Sequence, residues 1–431
     1  MTNDRPKPGY QQTEVGVIPD DWETSPLSEK ARVIDSLHKT PNFCESGYPM
    51  VRVADIKPGN LRLDETLKVS DAVFEEFTRN YKPKRGDIVL SRVGSYGVSS
   101  FVETDEPFCL GQNTVVIESK VPSRFLYYAL NANYIREQIE DGSYGSGYKS
   151  LSLKNIKELT VALPSTISEQ EKLAQALSDV DALIAALDKA IAKKRHLKTA
   201  TMQQLLTGKK RLPGFGAGKG YQKTEIGTIP EDWNVKHLKD ALKTNPRYGI
   251  NAAAVPYRDS LPIYIRITDI SEAGYFAPES LVSVNQENSD QYYLEEGDLV
   301  FARTGASVGK SYLYNPNDGK LVFAGFLIRI RPNENILLPD YLSQYVRTKA
   351  YWDWVQLMSM RSGQPGINGN EYGQLLVPFP DMKEQRAIAT VLSDMDAEIA
   401  ALETRRAKTQ ALKQGMMQQL LTGKVRLKIE V

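Results

Sequence analysis

Histidine and cysteine are scarce in this chain: three and two residues among 431. Cys44 and Cys109 are too few for a disulfide framework and fit a reducing cytoplasm. His38, His196 and His237 lie far apart, with no Cys or His neighbour at ligand spacing, so no metal site is expected on them. Long apolar runs are missing too. No stretch approaches the ~18 apolar residues a membrane span needs, and the opening MTNDRPKPGY has no apolar leader core, so neither membrane nor export is expected. Net charge is nearly absent at +1, which announces no polyanionic partner globally but leaves local clusters free to bind one. Lys82-Pro-Lys-Arg85, Lys193-Lys-Arg195 and Lys209-Lys-Arg211 are such clusters, although each alone reads as solvated surface. What remains is ordinary globular composition, 41% hydrophobic and 25% charged, in a chain long enough for two or three domains.

The chain is written twice. TEVGVIPDDW at 13–22 returns as TEIGTIPEDW at 224–233, LSDVDALIAAL at 177–187 as LSDMDAEIAAL at 392–402, and MQQLLTGK at 202–209 unchanged at 417–424. The order is conserved at offsets of 211 to 215 residues, the mark of a tandem duplication. The copies agree at their edges and differ across their middles.

Each copy has two parts. The first carries short runs rich in Val, Ile, Tyr and Phe between Gly and Pro, which predict strands: 88–90, 114–117, 261–265 and 325–330. Helical stretches at 124–140 and 340–358 intervene, giving an α+β globule. The second part predicts a long helix. From 168 to about 206 there is no Gly or Pro, and Leu173, Leu177, Val180, Ile184, Leu187 and Ile191 alternate at +4 and +3. Ile388, Leu392, Met395, Ile399 and Leu402 keep the same beat in the second copy. This is the heptad seam of helices packed along one another. Lys194 and Lys198 fall on the seam beyond Ile191, which predicts looser packing or a shifted register there. The resulting plan is a first globule over 1–163, a helix over 164–212, a linker over 213–222, a second globule over 223–378 and a second helix over 379–427. The two helices are too far apart in sequence to form a hairpin, and their simplest use is to pair with each other; periodicity does not choose between parallel and antiparallel.

Two catalytic readings meet the test of duplication. TGASVGKS at 304–311 follows a predicted strand and suggests a phosphate-binding loop, but that loop needs four residues between its first glycine and Gly-Lys-Ser, and Gly305 and Gly309 are separated by three. The matching loop in the first copy, within GDIVLSRVGSYGVSS at 86–100, has no lysine at all. Asp87 with Glu118-Ser119-Lys120 has the order of a metal-dependent nuclease. The second copy keeps Asp298 but carries Arg329-Ile-Arg331 where the Glu-x-Lys should be. Asp179 with Asp181, and Asp394 with Asp396, stand two apart on a helix and cannot share an ion, so they read as polar flank of the seam.

The globule–helix–globule–helix layout, with Pro164-x4-Glu-Gln170 and Pro380-x3-Glu-Gln385 opening the helices, LLTGK closing both and IPxDW opening both globules, resembles the specificity subunit of type I restriction–modification enzymes. The resemblance implies a non-catalytic, cytoplasmic prokaryotic protein. It implies two target-recognition domains that each read half of a split double-stranded DNA sequence. It also implies an antiparallel coiled coil that spaces them, related by a pseudo-two-fold axis, and docks two methyltransferase subunits. Restriction–translocase subunits would join through those, and S-adenosylmethionine, ATP and Mg²⁺ would belong to the partners. A protein-interaction scaffold with two heads, or a metal-dependent nuclease, is the alternative.

Base reading needs donors and acceptors at base edges, and phosphate binding needs positive charge. Three sets of residues offer them. The glycine-rich loops hold Arg92, Ser95 and Tyr96 in one copy and Arg303, Ser307 and Lys310 in the other. The loops before each final strand, SYGSGYKS and RSGQPGIN, hold Tyr144, Ser146, Tyr148 and Lys149, and Arg361, Gln364 and Asn368. The third set is Arg52 and Arg266, each in Arg-x-x-Asp-Ile, where an Arg–Asp brace of a turn would leave the same pattern.

Overall fold

A computed structural model describes residues 6–142, 150–360 and 366–427. The chain divides into two compact units that cut across sequence order, residues 1–189 with 403–431, and residues 190–402. Both divisions fall inside the long helices, so each helix serves two units rather than only the globule before it.

In the first unit β1 (Ala31–Asp35), β2 (Ile88–Ser91), β3 (Ser99–Phe101) and β4 (Thr114–Ser119) form an antiparallel sheet in the order β1-β4-β2-β3. The central strands are runs of Ile, Val and Leu because both of their faces are covered. Ile88, Leu90, Val115 and Ile117 lie in one core with the helices Ser123–Leu130 and Asn133–Asp141. Val89 and Val116 lie in a second core with Val51, Ile56, Phe108 and Leu110. The predicted strands 88–90 and 114–117 therefore sit in the sheet. The stretch 124–140, expected as one helix, is two, because the backbone leaves helical geometry at Asn131 (ψ 5°) and Ala132 (ψ 155°).

The second unit repeats the plan. β5 (Leu242–Tyr248), β6 (Leu299–Ala302), β7 (Ser311–Leu313) and β8 (Leu327–Pro332) lie in the order β5-β8-β6-β7. Leu299, Phe301, Ile328 and Ile330 face the helical core, and Val300, Ala302 and Leu327 face the other. β5 carries two register shifts and contains Pro246, which removes a ladder donor and suits an edge strand. The stretch 340–358 is again two helices, Pro339–Tyr345 and Lys349–Ser359. Thr348 caps the second, its hydroxyl accepting from the Tyr351 amide (3.3 Å).

The long helices, Ile167–Leu205 and Met382–Leu420, have 39 residues each, about 58 Å at 1.5 Å per residue. They run antiparallel: in the first unit Asp181 pairs with Lys413 (2.6 Å) and Asp188 with Arg406, and in the second Asp396 pairs with Lys198 (2.6 Å) and Glu398 with Lys194. Residue numbers on one helix rise as those on the other fall. The seam serves more than the helix pair. Leu173 and Leu177 join the core of the first globule with Leu420 and Leu421, and Ile388 and Leu392 join that of the second with Met202, Leu205 and Leu206. Leu187, Ile191 and Ile399 are buried, while Val180, Ile184, Met395 and Leu402 are half-buried. Past Ile191, where loosening is expected, Lys194 is half-buried, but Lys198, Met202 and Leu205 are buried. Lys198 is buried on Asp396, its ammonium pushed below its ordinary value by burial against the pull of that carboxylate.

Why the copies agree at their edges is now visible. The tail of copy one folds onto the opening of copy two and the start of the second long helix: Arg211 pairs with Glu384 (2.5 and 2.7 Å) and Asp232 (2.8 and 3.0 Å), and Glu384 also accepts from the Trp233 indole N–H (2.9 Å). The tail of copy two does the same on the opening of copy one, with Arg426 on Glu169 (2.6 and 2.7 Å) and Asp21 (2.9 and 3.0 Å). Gly208 and Gly423, at φ 68° and 66°, turn left-handed against Pro230 and Pro19, where a Cβ would lie 2.3 and 2.4 Å from the ring. LLTGK and IPxDW are two halves of one joint, made twice.

Candidate nucleic-acid interface

Both units end their second sheet strand in the same device. Past β2, the Arg92 amide donates to Asn113 O (2.9 Å) and its carbonyl accepts from Leu151 N (2.8 Å). Past β6, Arg303 does likewise with Phe326 O (3.0 Å) and Ile367 N (2.9 Å). Isolated bridges Val93–Ser150 and Thr304–Gly366 then join the glycine-rich loop to the segment before the final strand, so two of the three candidate regions are adjacent. The third is near in the first unit, where a Cβ at Gly94 would touch Val53 (3.9 Å) and one at Gly111 would meet the Arg52 side chain (3.2 Å). Tyr144, Ser146, Tyr148, Lys149, Arg361 and Gln364 lie outside the described residues. Asn368 caps a short helix, accepting from the Glu371 amide (3.0 Å).

The loop glycines are explained by packing. Gly97 (φ 77°) sits over Ile139, and Gly309 (φ 89°) over Val355, where a Cβ would lie 2.7 Å from Cγ1. After 304–310 comes strand β7, where a phosphate loop would start a helix. Lys310 is tied to Glu272 (2.6 Å). Nucleotide cradling is therefore excluded by geometry as well as by spacing. Ser95 and Ser307 sit on these loops, and the Tyr96 hydroxyl donates to Glu140 (3.0 Å).

The arginines divide. Arg52 and Arg266 are turn braces: each guanidinium forks onto an aspartate three residues on, Asp55 (3.0 and 3.1 Å) and Asp269 (2.9 and 2.7 Å), and the same carboxylate accepts the arginine's own amide. Arg92 is paired as well, with Nη1 on both Asp35 oxygens (2.9 and 3.1 Å) and Nε on Leu151 O (3.1 Å). Asp35 also faces His38 (2.9 Å). Arg303 differs. Its guanidinium carbon stands over the Tyr248 ring, 5.0 Å from the centroid, and among the described residues it has no acidic partner.

The nuclease pattern resolves into bracing. Asp87 accepts from the Tyr81 hydroxyl (2.9 Å) and the Lys84 amide (2.8 Å), and burial raises its carboxyl above the ordinary value. Glu118 pairs with Lys84 (2.7 Å) and Arg32 (3.7 Å), and Lys84 holds it below its ordinary value. Asp298 is gripped by Arg331 (2.7 and 2.9 Å). Among the described residues no cluster of three or more His, Cys, Asp or Glu could hold a metal, and no helix is long and apolar enough to cross a membrane. Asp181 accepts from Tyr128 (2.8 Å) besides Lys413, and Asp396 from Gln344 (3.2 Å) besides Lys198, so these aspartates tie helix to globule as well as helix to helix.

Residues that sequence reading passed over are Asp35, Tyr248, Asn113 and Phe326. In sheet register Asp35 pairs with Val115 and Tyr248 with Ile328, each the second residue of its strand, so the aspartate and the tyrosine occupy equivalent positions. Asn113 and Phe326 are likewise equivalent, as acceptors from the two arginine amides.

Known proteins resemble this chain in sequence and in overall fold. The type I restriction enzyme MjaVIII specificity subunit of Methanocaldococcus jannaschii is 23% identical over 432 residues, covering 95% of this chain and 94% of that one. A second M. jannaschii protein, assigned as the MjaX specificity subunit, is 31% identical over 217 residues, 48% of this chain and 50% of its own length. In fold, the type I restriction–modification S subunit from M. genitalium is similar with a TM-score of 0.56 at 15% identity, over 95% of this chain and 97% of that one. Residues 19–194 and 230–413 both match the family model for the type I restriction–modification DNA specificity domain, and the chain belongs to that family.

Proposed function

We propose that this chain is the non-catalytic subunit that gives a type I restriction–modification complex its DNA target, each domain reading one half of an asymmetric two-part sequence. The observation that carries this reading is the doubled site. Two family-matched segments build the same sheet and the same strand-end arginine–glycine loop, yet set different side chains at equivalent points. Equivalent frames with different surfaces suit two different half-sites. The antiparallel helices would fix the distance between the half-sites and offer docking faces for two methyltransferase subunits, through which restriction–translocase subunits would join. S-adenosylmethionine, ATP and Mg²⁺ would be held by those partners.

Duplex binding by the full chain with its methyltransferase subunits, measured across salt, tests this. Affinity should fall steeply with salt as phosphate contacts release counterions, with a preference for one split sequence. Salt-insensitive or absent DNA binding would favour a protein-interaction scaffold instead.

A further inference from the structure

The two domains hold their equivalent arginines in opposite electrostatic states. Arg92 and Arg303 occupy the same point of the fold, with matching backbone bonds on both sides. In the first unit the neighbouring strand presents Asp35, which takes the guanidinium on both carboxylate oxygens, and the Arg92 side chain is 17% exposed. Its charge is neutralised and its Nε spent on Leu151 O. In the second unit the same strand position presents Tyr248, whose ring lies beneath Arg303 and is pinned by the Gly369 amide donating to its hydroxyl (3.0 Å). No carboxylate answers the charge among the described residues. Asn113 of the first unit is replaced by Phe326, whose carbonyl accepts the Arg303 amide (3.0 Å), and both Tyr248 and Phe326 are exposed, at 40% and 55%. An aromatic support occupies the face of a guanidinium and leaves its N–H edge for other partners. A forked donor of that kind matches the O6 and N7 acceptors of guanine, and an adjacent apolar group suits a thymine methyl.

We infer that Arg303, supported by Tyr248, is a base-reading residue of the second domain, and that Arg92, quenched by Asp35, is a brace that reads no base in the first. This inference rests on the DNA-reading function proposed above. It assigns the second half-site a guanine contact at this point and directs the search for first-domain contacts away from the equivalent arginine.

Selection from a randomised duplex library by the complete complex, using full-length chains, tests it through two matched substitutions. Lysine keeps the charge and loses the fork. Arg303→Lys should lower discrimination at one base pair of the second half-site roughly ten- to a hundredfold, whereas Arg92→Lys, still facing Asp35, should leave the first half-site unchanged. Tyr248→Asp, which imports the first domain's quenching group, should reproduce the Arg303→Lys loss, and Tyr248→Phe should not. An unchanged second half-site in Arg303→Lys and Tyr248→Asp overturns the assignment. So does a uniform loss on all sequences with a shallower salt dependence, which would make Arg303 a phosphate contact, or an altered first half-site in Arg92→Lys. A wild-type complex that selects no split sequence would contradict the proposed function itself, before any variant is compared.

Discussion

Glu384 is 1% exposed and would be costly as a lone charge; Arg211 and Trp233 supply its donors. Removing one partner of such a pair leaves the other buried and uncompensated. Arg211→Met should therefore destabilise the second unit by about 3–5 kcal/mol in urea unfolding, and Glu384→Gln in the same chain should recover part of that. Sequence showed Arg211 only as one end of a basic cluster; its burial against a residue 173 positions away had no local signal. The braces at Arg52 and Arg266 were legible because both partners lie within one turn of each other. Asp35 and Tyr248 were not, because they lie on strands far in sequence from their arginines and β5 is broken by register shifts.

At the scale of elements, the strands announced themselves through β-branched runs, and the long helices through the heptad beat. The short helices were located but not divided, since the breaks at Asn131 and Thr348 depend on capping geometry rather than on Gly or Pro. Glycine positions drew attention to these loops as possible contact sites, whereas the glycines themselves answer to packing. Gly309 serves a left-handed turn pressed on the helix Lys349–Ser359. Gly309→Ala combines strain at φ 89° with a Cβ close to Val355, and should cost about 1–3 kcal/mol in urea unfolding. A neutral result would mean that the helix shifts freely and the loop is not fixed by it.

At the scale of the whole molecule, duplication explains which stretches are shared and which diverge. The shared edges make the joints between copies, and the divergent middles carry the surfaces proposed to meet DNA. The direction of helix pairing was open to periodicity alone and is fixed by charge pairs whose numbering runs oppositely. If the helices set the gap between half-sites, inserting one turn in each should change the tolerated spacing in a duplex selection. An unchanged spacing would remove the ruler from the account. The central claim is that this chain gives its complex a two-part DNA target. Genome-wide mapping of methylated adenine in cells with and without the chain measures it most directly. One asymmetric motif, split by a fixed gap, should be methylated in the first case and lost in the second; a methylation pattern indifferent to the chain would rule out a targeting role.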